Sequence, residues 1–131
     1  MRFRHVMTAA TTVLAAVSLS GAAAAQPAAA KAPANQSCSD LGNGTLCATG
    51  IPGSPAGYDA AYAKRAGSTR TVRFALRCAN GRVWWDNGRF TIAAGQRESF
   101  VVSIGDWGSC RVEMHDYTSG DQLFVTNYVN P

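Results

Sequence analysis

Charged residues are scarce: Asp, Glu, Lys and Arg make up 15% of the 131 residues, with 12 basic against 8 acidic. So little charge, beside 47% hydrophobic residues, excludes a long disordered regulator. Histidine is scarcer still: there are two, and only His115 lies beyond the first few residues. A Ser-His-Asp or Cys-His arrangement would have a single candidate base. No G-x-S-x-G, P-loop or H-E-x-x-H pattern occurs, and no C-x2-C spacing of the kind zinc sites use. Neither a cofactor nor a metal is expected, and the chain reads as a non-enzyme. No apolar run reaches the ~20 residues a bilayer core needs, so no membrane span is expected. The length leaves room for one domain.

What is present begins with an export signal. Arg2 and Arg4 precede an apolar stretch from Val6 to Leu19, and Ala23-Ala-Ala25 supplies the small residues of a cleavage site. Residues 1–25 are therefore expected to be a signal peptide and the protein to be secreted. Removal of Arg2 and Arg4 leaves ten basic against eight acidic residues. That balance does not call for a nucleic-acid partner. Residues 26–37 (QPAAAKAPANQS) are Ala/Pro-rich and read as an extended arm, with Lys31 and Pro33 as candidate partner contacts.

Four cysteines, Cys38, Cys47, Cys78 and Cys110, lie in the remaining domain at 38–131. An even count in an oxidising compartment reads as two disulfides, with three connectivities open. Cys38–Cys47 with Cys78–Cys110 is favoured, because the first pair brackets the turn Leu41-Gly-Asn-Gly44. Chain-entropy arithmetic gives roughly 2.7 kcal/mol for a 10-residue loop and roughly 3.7 kcal/mol for a 33-residue loop.

Turn chemistry dominates the rest. Asn43-Gly44, Asn80-Gly81 and Asn87-Gly88 are hairpin signals. Arg70–Cys78 alternates, with Val72, Phe74, Leu76 and Cys78 on one face and Thr71, Arg73, Ala75 and Arg77 on the other. Further strands are predicted at Arg82–Trp85, Arg89–Ala93, Glu98–Ile104, Cys110–Asp116 and Gln122–Tyr128. Tyr58–Arg65 is compatible with a helix but is read as a strand, because Tyr58, Ala60 and Tyr62 alternate. The fold class is all-β: a small antiparallel β-sandwich or barrel of six to seven strands with two disulfides. Cys78 and Cys110 end inward faces of different strands, so their bridge is expected to staple two sheets.

Candidate chemistry rests on the aromatics. Trp84 and Trp85 are strand neighbours and must point to opposite faces, one into the core and one outward. Trp107 sits in the loop Gly105-Asp-Trp-Gly-Ser109. The outward row Arg73, Arg77, Arg82, Arg89 and Arg97 beside a Trp suits an acidic partner surface. Partner-binding candidates are therefore Trp84, Trp85, Trp107, Arg73 and Arg77, with Lys31 and Pro33 on the arm. The carboxylates Asp86, Glu98, Asp106, Glu113, Asp116 and Asp121 are the only candidates for acid–base pairs. Glu113 and His115 share a strand face, which reads as a solvated polar face.

The segment from Tyr62 to Cys110, above all Trp85-Asp-Asn-Gly-Arg-Phe-Thr-Ile-Ala-Ala-Gly-Gln96, resembles small secreted actinobacterial proteins. It is similar to the small adaptor subunit of the umbrella toxin particles. The resemblance covers residues 38–128 and implies an adaptor that joins a lectin-bearing subunit to a large ALF-repeat toxin acting on competing bacteria. It also implies that the arm enters a cleft of the lectin-bearing subunit, while the β-domain meets the toxin's repeats through a strand edge. Carbohydrate would then be reached only indirectly. Two other classes compete. An inhibitor of a secreted amylase or protease would present the stiff segment Ile51-Pro-Gly-Ser-Pro55. A carbohydrate-binding module would stack sugars on the Trp rings.

Overall fold

The computed structural model describes residues 35–131. The expected signal peptide at 1–25 and the arm up to residue 34 lie outside the described residues, as do Lys31 and Pro33. Nine strands and no helix are present among the described residues: β1 (Gln36–Asp40), β2 (Gly44–Ile51), β3 (Gly57–Lys64), β4 (Arg70–Cys78), β5 (Val83–Trp85), β6 (Phe90–Ile92), β7 (Arg97–Val102), β8 (Cys110–Asp116) and β9 (Gln122–Val125). The expectation of six or seven strands fell short because the stretch around Cys38 and Cys47 is itself a hairpin, β1–β2. The domain accordingly starts at β1, two residues before Cys38.

A four-stranded sheet runs β1-β2-β3-β7, and a five-stranded sheet runs β5-β4-β8-β9 with β6 also on β4. All strand pairs are antiparallel. The two sheets share one core. Leu46, Ala48, Tyr58, Ala60 and Tyr62 come from the first sheet; Val72, Phe74, Leu76, Ile92, Val112 and Met114 come from the second. β3 forms between β2 and β7 because alternation sends Tyr58 and Tyr62 into that core. Both hydroxyls stay satisfied there: Tyr58 donates to the Gly108 carbonyl at 2.7 Å, and Tyr62 to Asn43 Oδ1 at 3.0 Å. At Gly44 a Cβ would stand 2.6 Å from the Tyr62 ring, so only glycine lets β2 start beneath it.

Both disulfides form as favoured, Cys38–Cys47 and Cys78–Cys110. The second does not staple two sheets. Cys78 and Cys110 are directly paired across β4 and β8, neighbours in one sheet, so their shared inward face is a face of that sheet.

The sandwich has two unlike sides. On one, β1 and β9 are stitched by side chains: Ser39 Oγ donates to the Val125 carbonyl at 2.9 Å, and Ser37 Oγ accepts from Asn127 N–H at 3.2 Å. On the other, β7 ends its sheet. Lys64 N–H donates to the Gln96 carbonyl and Gly105 N–H to the Ala56 carbonyl, so the alternation of the ladder turns the backbone groups of Arg97, Ser99 and Val101 outward. Beside this edge lies a cavity of about 280 Å³ lined by Phe74, Phe90 and Phe100 together with Asp86, Arg89 and Glu98.

Candidate protein-docking surface

The outer face of the five-stranded sheet follows from register. Trp85, Ala75, Glu113 and Val125 form one row across β5, β4, β8 and β9. Arg73, His115 and Leu123 form the next, and Val83, Arg77 and Arg111 lie on the other side. Leu123 and Val125 are exposed, and Trp85 is 39% exposed. An open face carrying indole, guanidinium and aliphatic groups has the composition of protein-interface centres.

Guanidinium groups lie over aromatic rings along this face. Arg73 sits 4.7 Å from the Trp85 ring centre, Arg89 3.7 Å from that of Tyr117, and Arg111 5.5 Å from that of Tyr128. The rings also touch one another: His115 lies 5.0 Å from Trp85 and stacks on Tyr117 at 6.2 Å. Each cation–π contact is worth about 0.5–1 kcal/mol at an exposed site and fixes the orientation of a long side chain before any partner arrives.

Two carboxylates anchor the arginines. Asp86 accepts from Phe74 N–H at 2.9 Å, Gly88 N–H at 3.1 Å and Arg73 Nε at 3.2 Å, which ties the β5–β6 turn to β4. Glu113 is 1% exposed although it lies on the outer face. The overlying side chains bury it, and its Oε1 accepts from Arg77 Nε at 2.7 Å and Arg111 Nη2 at 2.8 Å. The expected solvated polar face is thus a covered ion cluster. Burial pushes the Glu113 carboxyl up, but the hydrogen bonds and charges of Arg77 and Arg111 outweigh it and hold the group below its ordinary 4.5.

The sign of the pH effect follows. A carboxyl held lower in the folded chain contributes stability above its unfolded value, and that contribution is lost as pH falls from about 4.5 through the folded value. Glu113→Gln is expected to lower the urea midpoint at pH 7 and to flatten its decline below pH 4.5. Equal acid slopes in the two proteins would show that the cluster carries no such linkage. Asp59, which burial raises, acts in the opposite sense in both proteins and cancels from the comparison.

The structure brings Trp85, Arg73 and Arg77 together and leaves the other candidates elsewhere. Neither Trp84 nor Trp85 is core, since β5 is a three-residue strand at the sheet margin and Trp84 overhangs it, 41% exposed. Trp84 meets Trp107 edge-on at 6.0 Å, and Arg82 covers Trp107 at 4.9 Å, forming a separate corner. The expected single row of arginines is split: Arg82 belongs to that corner, Arg89 to the β5–β6 turn and Arg97 to the other sheet. Compared with models of protein families, with curated proteins and with solved structures, the chain matches none.

Asp116 faces the core side and lies 3.6 Å from Arg70, away from Glu113 and His115. Among the described residues no group of three His, Cys, Asp or Glu is placed to hold a metal ion. Nor is any helix there long and apolar enough to cross a membrane. Residues 52–55, next to the end of β2, are exposed. Sequence reasoning missed Arg111, Tyr117 and Tyr128. Period-two alternation along β8 was signal enough for Arg111 and Tyr117, which continue the face of Glu113 and His115.

Proposed function

We propose that the protein is an exported, non-enzymatic adaptor that binds an acidic protein surface through the outer face of the β5-β4-β8-β9 sheet. The observation that carries this reading is Trp85, open to solvent among arginines already oriented by Asp86, Glu113 and aromatic rings. As the resemblance to the umbrella toxin adaptors implies, the two partners are a lectin-bearing subunit and a large ALF-repeat toxin, and the particle serves antagonism between bacteria. Segment 26–34, with Lys31 and Pro33, supplies the second contact. The edge of β7, unpaired among the described residues and beside the phenylalanine cavity, supports contact through a strand edge.

Affinity purification from culture supernatant, followed by mass spectrometry, tests the reading. A lectin-like protein and a giant repeat protein are expected in the eluate. Deletion of residues 26–34 is expected to remove one of them and keep the other. The cut stops before Asn35, whose carbonyl accepts Gly50 N–H at 2.8 Å and anchors β1. Recovery of a single hydrolase, with stoichiometric inhibition of it, would replace the adaptor by an inhibitor presenting residues 52–55. Binding of polysaccharide in place of protein would point to the Trp84–Trp107 corner.

A further inference from the structure

His115 occupies the centre of the docking face with one hydrogen bond made and one unmade. Its Nδ1 lies 3.1 Å from Asp121 Oδ1, so in the neutral ring the proton sits on Nδ1 and is donated to that carboxylate. Nε2 then presents a lone pair. It is buried, has no hydrogen-bond partner among the described residues, and lies 4.0 Å from Glu113 Oε2. Two acceptors therefore face each other across a gap slightly too wide for a hydrogen bond.

We propose that His115 is a proton-operated switch of the docking face: a proton taken from water onto Nε2 closes the ring onto Glu113 Oε2 and moves Trp85. This rests on the docking reading only for its consequence, since the switch itself lies within the protein. The charged ring donates from both nitrogens to two carboxylates, and charge-assisted bonds of this kind close to about 2.7–2.9 Å.

The surroundings decide which groups respond. On β4, Arg73 is paired in register with His115 and held by Asp86, while Arg77 grips Glu113. On β8, Arg111 shares the same Glu113 oxygen as Arg77, and Tyr117, just past the strand, stacks on the imidazole beneath Arg89. Asp121 precedes β9, whose Leu123 is uncharged and opposite His115, and β5 contributes only the Trp85 indole at 5.0 Å. The new donor takes Glu113 Oε2 and leaves Oε1 to Arg77 and Arg111, so both oxygens are bound and the face gains one positive charge. Acid therefore strengthens its hold on an acidic partner.

The test uses the secreted protein alone. His115 is the only histidine beyond His5, so a protein processed at the expected site shows one imidazole by nitrogen-15 NMR. Between pH 5 and 8 the Trp85 indole resonance is expected to move with the midpoint of His115, while Trp84, on the other face of β5, stays still. His115→Gln is expected to abolish the Trp85 movement. A titrating His115 with a motionless Trp85 overturns the switch. Partner capture at pH 5.5 and 7.5 then separates the two ideas. A Trp85 that follows His115 without any captured partner sinks the docking reading and leaves the switch. Capture that is equal at both pH values severs the link between them.

Discussion

Trp85→Ala is expected to weaken partner capture by roughly thirty-fold or more, the effect of losing about 2 kcal/mol at a binding hot spot. The indole is the largest apolar group on the outer face, and its position is set by Arg73 and His115. Truncation removes the contact area and also frees the Arg73 side chain from its stack. Because Trp85 is 39% exposed and lies outside the core, folding is expected to lose no more than about 0.5–1.5 kcal/mol, the worth of its aromatic contacts. Trp84→Ala serves as the control, since it belongs to the corner with Trp107. Undiminished capture by Trp85→Ala, measured by surface plasmon resonance on the purified partner, would remove the outer face from the interaction.

Replacing Cys78 and Cys110 together by alanine is expected to cost about 3.7 kcal/mol, against about 2.7 kcal/mol for the Cys38 and Cys47 pair. The order follows from separation along the chain, 32 residues for the first bridge and 9 for the second. A long loop closed in the unfolded chain restricts more conformations than a short one. Position acts in the same direction. Cys78 and Cys110 are buried at one end of the β4–β8 pair that carries Arg73, Arg77, Glu113 and His115, whereas Cys38–Cys47 lies in the hairpin at the edge of the other sheet. Urea unfolding of both double variants checks the order. An equal or reversed pair of midpoints would mean that strain or residual structure in the unfolded chain outweighs loop length.

Much of the architecture was legible because it is local. The alternation of Val72, Phe74, Leu76 and Cys78 states which side of β4 is buried, and the Asn-Gly pairs mark where the chain reverses. At β1–β2 the turn and its disulfide were read, but the two flanking strands were not. The inward positions on β2 are Gly44, Leu46, Ala48 and Gly50, so the alternation carries one large apolar side chain among small residues and gives a weak periodic signal, although Leu46 and Ala48 do enter the core.

Composition and spacing alone determined an all-β chain with paired cysteines and a buried face for each long strand. What they left open is which strands are neighbours. That choice put Cys78 against Cys110 within one sheet, set Glu113 between Arg77 and Arg111, and carried both Trp84 and Trp85 out of the core on a marginal strand. Period-two alternation names the side of a sheet on which a residue stands. The residue beside it belongs to another strand, and only cross-strand pairing brings the two within hydrogen-bond reach.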